Sequence, residues 1–358
     1  MPIFDLIRGK IFNGKFPMVA LDLAETSLEL IQLAPKPGKP KIAFAYRQEL
    51  KPGLIKNCQI IDSAGLAGIL KEIWQANKLK NKNCLLSLPD KIVYFANLKI
   101  ADKTGDLQAA IMAKAGEILP LDLSDYFFDY RLVETGKNSQ EFFFIAAEKK
   151  IIRQYFDLCQ AAGLNLAVLD FESACLARSL LKDNKEPCFV LDLGGYSTDL
   201  FLVDCQGFRY QVNFAVGGSV LDKKIAETLQ INLKQAEKIK KQKGAAAIED
   251  SVLFSIFEPV FLEIQKIAAD YENKNKQPVK KIILAGGTSL LKGLLKKLRQ
   301  KFLSWQIELG DPAQKVDLAG KLKSKDIILY SNAIGLALRG LDKDSLAQGI
   351  NLLKDINK

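Results

Sequence analysis

Residues 188–203 run Cys-Phe-Val-Leu-Asp-Leu-Gly-Gly-Tyr-Ser-Thr-Asp-Leu-Phe-Leu-Val. An apolar run ends in Asp192, turns through Gly194 and Gly195, and resumes as a second apolar run. That is the pattern of a β-hairpin with its polar groups at the turn. Glycine lets the backbone approach a ligand closely and take up positive φ. Successive backbone N–H groups in such a turn form a concavity for an anion, and Ser197 and Thr198 add hydroxyl donors. Asp192 stands where a carboxylate can hold a hydrated Mg²⁺ against a phosphate. The chemistry on offer is a phosphate cradle with a metal anchor.

Residues 19–31 repeat the pattern as Val-Ala-Leu-Asp-Leu-Ala-Glu-Thr-Ser-Leu-Glu-Leu-Ile. Asp22 falls on Asp192, Ser27 on Ser197 and Glu29 on Asp199, with Thr26 beside Ser27. Two copies of one supersecondary unit predict two related α/β halves around one cleft. The copy departs at Ala24 and Glu25, which stand where the other hairpin has Gly194 and Gly195. A carboxylate at Glu25 repels a phosphate at close range. Read alone, this copy is equally an ordinary exposed hairpin.

Two further glycine pairs follow. Residues 281–294 read as a short buried strand, the turn Gly286-Gly287, and an amphipathic helix capped by Thr288 or Ser289. Such a turn admits a flat ligand. Residues 216–222, Val-Gly-Gly-Ser-Val-Leu-Asp, lead into a helix expected from Lys223. One reading makes Ser219 or Asp222 its N-cap. The other sets the amides of Gly217 and Gly218 at a phosphate beside a helix N-terminus. The two are compatible.

Together these pieces resemble the actin-like ATPase superfamily. The Asp22 hairpin is similar to its first phosphate motif, the Asp192 hairpin to its second, and the Gly286-Gly287 turn to its adenosine motif. Glu237 and Lys240 resemble the Glu-x-x-Lys pair that contacts adenosine in relatives, and read equally as a lysine-rich helix face. Within the superfamily the chain looks most like the PilM family of type IV pilus assembly proteins, which is related to FtsA. Residues 85–90 (Leu-Leu-Ser-Leu-Pro-Asp) and 118–130, around Pro120, carry that resemblance.

The resemblance implies an actin-like ATPase fold: two α/β halves around a nucleotide cleft, with an inserted small α+β subdomain. It implies binding of ATP and Mg²⁺. Asp192 would hold the metal through water, with Asp22 as a second carboxylate. Gly194, Gly195, Ser197 and Thr198 would bind phosphate with Thr26 and Ser27 opposite, and Gly286, Gly287 and Thr288 would lie along the nucleoside. It implies a cytoplasmic protein peripheral to the inner membrane, within a pilus assembly platform. Its expected partners are the cytoplasmic N-terminal peptide of a PilN-like membrane protein and further copies of itself. Ala24, Glu25 and Glu29 in the first hairpin, and Asp222 where the glycine-rich segment of the family usually has threonine, put negative charge where family members often have neutral or basic groups, so ATP turnover is expected to be weak or absent. The alternatives are an FtsA-like cell-division filament protein and an active ATPase or kinase of the same superfamily.

Composition sets further bounds. No histidine occurs among the 358 residues, which excludes histidine bases, triads and zinc ligands. The six cysteines are scattered without a C-x-x-C and read as reduced thiols. No run of about 18 apolar residues is present, and charges at Asp5, Arg8 and Lys10 argue against a signal peptide. The net charge of +10 gathers in lysines of residues 234–243 and 292–301. Without interleaved aromatics these read as solvated helix faces or contacts to an anionic membrane leaflet rather than a nucleic-acid site.

The organisation expected is an N-terminal segment (1–17), which could form a short helix over 1–12, and a first half (18–83, with 165–186 and about 320–341 returning to it). An inserted subdomain (84–164), a second half (187–319) and a tail (342–358) complete it. Helices are expected over 63–76, 107–118, 151–162, 221–243 and 251–272. The tail stretch Gly-Ile-Asn-Leu-Leu-Lys, residues 349–354, resembles the short Ile-Asn-Leu-Leu segment of PilN. It is expected either to occupy a peptide groove beside the insert, in its own chain or a neighbour's, or to be a frayed end.

Overall fold

The computed structural model describes residues 17–101, 105–119, 122–182, 186–342, 344, 346, 349–354 and 356. The N-terminal helix expected over 1–12 and the pair Pro120-Leu121 lie outside them. The chain divides into two compact units, one running to Ser179 and resuming at Pro312, the other Leu180–Asp311.

The first unit opens on β1 (Val19–Leu23), buried along its length, which turns back antiparallel into β2 (Ser27–Ala34) with Asp22 opposite Glu29. β3 (Lys41–Glu49) extends the meander. A small ribbon, β4 (Ile55–Lys56) with β5 (Gln59–Ile60), precedes α1 (Ser63–Ala76). Asp62 caps α1 by accepting the Gly65 N–H at 2.8 Å. β6 (Asn83–Leu88) pairs parallel with β1, and β10 (Asn165–Phe171) pairs parallel with β6. The sheet order is β10-β6-β1-β2-β3. β6 therefore belongs to this sheet and not to the insert, whose own sheet begins after Leu88. That second sheet, β7-β9-β8, is built from β7 (Val93–Ala101), β8 (Tyr126–Thr135) and β9 (Ser139–Glu148). α2 (Leu107–Ile118) packs Ile111 and Ala115 against its Phe142 and Phe144. α3 (Lys149–Ala161) and α4 (Glu172–Leu180) flank β10 in the chain.

The second unit repeats this topology. β11 (Cys188–Leu193), β12 (Thr198–Asp204) and β13 (Gly207–Phe214) form an antiparallel meander with Asp192 opposite Asp199. β14 (Lys281–Ala285) and β15 (Gln306–Leu309) add parallel strands, giving the order β13-β12-β11-β14-β15. Both sheets thus run meander first and parallel strands after, and both place an acid opposite an acid at the end of the first hairpin. Between β13 and β15 lie α5 (Gly218–Leu229), α6 (Leu233–Lys243), α7 (Asp250–Asn275) and α8 (Leu294–Lys301).

Three local expectations are corrected. The helix after the second glycine pair starts at Gly218 rather than Lys223, and no side chain caps it. Asp222 sits inside α5. The stretch 221–243 is broken at Gln230, which is left-handed at φ 51°, and Asn232 starts α6 through a reciprocal capping box with Gln235. Neither Thr288 nor Ser289 caps α8: they lie in a 3₁₀ turn (Gly287–Leu290), and Gly293 precedes the helix.

The chain returns to the first unit with α9 (Ser331–Leu341). Asp170 on β10 is almost fully buried and meets Arg178 of α4 at 2.5 Å and Arg339 of α9 at 2.7 Å. Burial alone would raise its pKa, but the two guanidinium charges outweigh that and hold the carboxyl below its usual range. Gly335 lets α9 come down on α4. A methyl at Gly335 would stand 1.8 Å from the Cys175 carbonyl oxygen, and the Gly335 carbonyl itself accepts Arg178 Nε at 2.9 Å. Beyond α9, residues 350–353 are buried against β8 and β10. Gly335→Ala must separate two backbones and is expected to cost about 2 kcal/mol or more. Denaturant unfolding of the variant checks this, and an unchanged midpoint would contradict the close crossing.

Candidate functional site

The second unit draws two further glycine pairs and Thr288 to the Gly194-Gly195 turn and the Asp192 strand that leads into it. The turn closes with the Gly194 N–H on Ser197 O at 2.9 Å. Its carbonyls face inward. Gly194 O accepts the Gly218 N–H at 3.0 Å and the Thr288 hydroxyl at 2.8 Å, and Gly195 O accepts the Ser219 N–H at 2.8 Å. With the carbonyls consumed, the amides of Gly195, Tyr196 and Ser197 have no partner among the described residues. A run of unpartnered N–H groups of this kind suits an anion.

Glycine is required by contact here more than by backbone angle. Neither Gly194 nor Gly195 has positive φ, contrary to the expectation from the sequence. A methyl on Gly217 would lie 2.8 Å from both Gly194 O and Gly195 O, and one on Gly218 would lie 2.9 Å from the Thr288 hydroxyl. Gly286 does have positive φ, +76°, and a methyl there would stand 2.2 Å from Asp192 Oδ1. The turn after β14 therefore packs directly on the Asp192 carboxylate.

The other residues expected at this site hold one another. The Thr198 hydroxyl donates to Val216 O at 2.7 Å, so its proton ties the hairpin to the glycine segment instead of pointing at a ligand. Lys240 Nζ donates to Gly218 O at 2.9 Å and to Asp222 Oδ2 at 2.6 Å. Asp222 is thus neutralised by Lys240. Burial still raises its pKa, working against that lysine. Glu237 faces outward on α6 and pairs with Lys241 at 2.8 Å. The pairing lowers its pKa.

In the first unit the Ala24 N–H reaches Ser27 O at 3.0 Å, the same closure as in the second hairpin. Glu25 has a role the sequence did not reveal: its Oε1 accepts the Cys58 N–H at 3.0 Å. Cys58 in turn is held through its carbonyl by Tyr155 of α3 at 3.0 Å. Thr26 and Ser27 stand at the turn, where the Thr26 carbonyl accepts the Leu50 N–H at 2.9 Å.

Asp22 and Glu29 face each other as buried acids. Burial and then the Glu29 charge push the Asp22 carboxyl up, against a hydrogen bond from Asn332. Burial raises Glu29 too, against Ser27 and against Arg47, which lies 2.8 Å away. Asp22 Oδ1 has no hydrogen-bond partner among the described residues. An orphaned oxygen beside a second acid fits a cation. Among the described residues no group of three or more His, Cys, Asp or Glu is placed to hold a bare ion. A Mg²⁺ at Asp22 or Asp192 would therefore keep most of its waters, as that ion prefers.

The family described as type IV pilus assembly protein PilM matches residues 20–341. The chain belongs to that family. A solved PilM-PilN type IV pilus biogenesis complex superposes with a TM-score of 0.76 at 21% identity, over 92% of this chain and all of that one. The ethanolamine utilization protein EutJ of Carboxydothermus hydrogenoformans gives 0.53 at 17% identity, covering 90% of this chain and 89% of its own. MreB5 of Spiroplasma citri bound to ADP gives 0.53 at 13% identity, covering 91% of this chain and 96% of its own. The fold of this PilM family member is the actin-like ATPase fold. EutJ of Salmonella typhimurium is 26% identical over 153 residues, 43% of this chain and 51% of that protein. The chain spans about half the length of the curated relatives it matches. No helix among the described residues is long and apolar enough to cross a membrane.

The acid pair makes stability depend on pH. Asp22 titrates at about 8 and Glu29 at about 7 in the folded chain, against about 4 for both when unfolded. Between those values the folded chain binds more protons, so stability falls as pH rises from about 4 to 8. Asp22→Asn is expected to flatten that fall and to melt above the unaltered chain at pH 8. An equally steep decline in the variant, followed by thermal melting from pH 5 to 8, would refute the assignment.

Proposed function

We propose that this chain is an ATP-binding, actin-like component of a type IV pilus inner-membrane assembly platform. In this reading it works at the inner face of the membrane and captures the cytoplasmic N-terminal peptide of a PilN-like membrane protein. The observation that carries nucleotide binding is the convergence of Gly217, Gly218 and Thr288 on the 194–197 turn, with Gly286 packed on Asp192 beside it, while the amides of Gly195, Tyr196 and Ser197 have no partner among the described residues. Family membership and the PilM-PilN neighbour support the partner. Neighbours of the same fold bound to ADP and to AMPPNP support the ligand.

The residues present fit the nucleotide and its metal. The amides of Gly195, Tyr196 and Ser197 would meet phosphate oxygens, and the methyl-free Gly217 and Gly218 keep the glycine segment close behind them. Gly286 and Gly287 would lie along the nucleoside. Asp192, fixed against Gly286, would orient a metal-bound water. Bound ATP–Mg²⁺ supplies a multivalent anion with its own counter-ion. The chain's part is to bind and orient it, since the Thr198 and Thr288 hydroxyl protons and the Lys240 ammonium are engaged in internal ties. The role that follows is a clamp with weak or no turnover, not an ATPase engine.

Equilibrium binding of ATP with Mg²⁺, with phosphate release followed in the same sample, tests this reading. The unaltered chain is expected to bind and release phosphate slowly. Asp192→Ala and Gly217→Ala are each expected to weaken binding by roughly tenfold or more, about 1.4 kcal/mol. Absence of binding by the unaltered chain would remove the nucleotide from the proposal, and rapid release would make the chain an enzyme.

A further inference from the structure

Residues 350–354 lie across the edges of two sheets. β10 ends the order β10-β6-β1-β2-β3, and β8 ends the order β7-β9-β8. Edge strands present backbone groups that the sheet itself does not pair. On β10 a single side chain meets them: Asn351 Oδ1 accepts the Leu169 N–H at 3.0 Å, and Nδ2 donates to Ala167 O at 3.4 Å. The Leu352 N–H adds a backbone bond to Leu169 O at 3.1 Å. On β8 the Asp129 carboxylate accepts the Asn351 N–H at 2.8 Å and Lys354 Nζ at 2.6 Å. Ile350, Leu352 and Leu353 are buried alongside.

This is how a sheet edge recognises a peptide: main-chain bonds fix the register and alternate side chains fill pockets. The surface underneath is built for an occupant. Without the segment, Leu169 loses a partner for both its N–H and its carbonyl. Asp129, only 5% exposed, keeps just the Tyr130 N–H at 2.9 Å. Leaving such groups buried and unpaired is costly, so the site favours being filled. A tethered segment fills it at the millimolar effective concentration that a short linker supplies.

We propose that residues 350–354 are a built-in occupant of a peptide-docking groove, so that a partner segment of the same chemistry, aliphatic-Asn-Leu-Leu-basic, docks only as this tail leaves. The groove and its tail stand on the contacts above; the identity of the partner alone rests on the pilus-platform reading. The tail is then a competitor that sets a threshold. A weak peptide in solution displaces it only in large excess, whereas a peptide held at high local concentration by a membrane-anchored partner displaces it readily.

The probe is a fluorescent peptide with the sequence of residues 349–354, added to the full chain and to a full-chain double variant, Asn351→Ala with Leu352→Asp, which alters the tail and leaves the groove intact. The peptide is expected to bind the variant at least about tenfold more tightly than the unaltered chain. Adding Asp129→Ala to the variant is expected to abolish that gain. Equal affinity for both chains, or no binding to a variant that still melts cooperatively, overturns the proposal. Should the variant fail to fold, hydrogen exchange on the unaltered chain decides. Excess peptide is expected to speed exchange of the Leu352 amide while Leu169 stays protected, and an unmoved Leu352 rate overturns the proposal. The N-terminal peptide of a PilN-like protein runs in parallel. If it fails where the chain's own peptide succeeds, the platform reading falls and the groove stands.

Discussion

The first unit depends on relieving the buried charge of Asp170. A carboxylate this deep costs several kcal/mol unless it is paired with good geometry. Its two partners come from far apart in the chain: Arg178 follows directly in α4, but Arg339 arrives from α9 after the whole second unit has intervened. The acid is therefore fully paired only when the chain has returned to the sheet where it began. Gly335 makes that return sterically possible, because any side chain there would strike the Cys175 backbone. The same strand that recruits α9 through Asp170 also presents the Leu169 and Ala167 groups to which residues 351 and 352 bind. One buried acid thus orders the sheet, the helix that covers it and the segment that follows that helix.

The two hairpins share a backbone and differ in what surrounds it. Both close with the same N–H to carbonyl bond across the turn, 2.9 Å in one and 3.0 Å in the other. That closure needs no positive φ in either hairpin, and Ala24 stands in the first where Gly194 stands in the second. The divergence is chemical. In the second unit the turn carbonyls are taken up by Gly218, Ser219 and Thr288, while the amides of Gly195, Tyr196 and Ser197 have no partner among the described residues. In the first unit the Glu25 carboxylate is bound by the Cys58 N–H. An acid held by a backbone donor is a fixed part of the architecture, so the charge at Glu25 belongs to the wall behind the turn.

Much of this was legible in the sequence where the determinants are local. α1 and α2 begin and end where apolar periodicity put them, and the structure adds the N-caps Asp62 and Asp106. The glycine pairs marked the places where backbones touch. The repeated Asp-hairpin correctly announced two sheets of one topology. What was hidden are pairings across long sequence separations. The Thr288 hydroxyl goes to Gly194 and not to the first turn of α8. Asp222 serves Lys240 rather than a helix start. A capping residue and a tertiary hydrogen-bond partner have the same side chain, so no local pattern separates them. The position of β6 was misread for the same reason, since a buried apolar strand does not say which sheet it joins.

The cross-strand acid pairs carry the clearest difference between the units. Asp199 accepts the Asn213 amide at 2.8 Å, a neutral donor, whereas Glu29 faces the Arg47 guanidinium. Even with that positive charge nearby, burial keeps both Asp22 and Glu29 above the ordinary carboxyl range, so near neutral pH the pair tends to retain a proton. A divalent cation and that proton would then compete for the same oxygens, because a carboxylate must be ionised to serve a metal. Asp22 Oδ1, buried and without a partner among the described residues, is where the competition would be felt. The first hairpin thus holds its proton through burial, whereas the turn of the second offers backbone amides that carry no titratable charge at all.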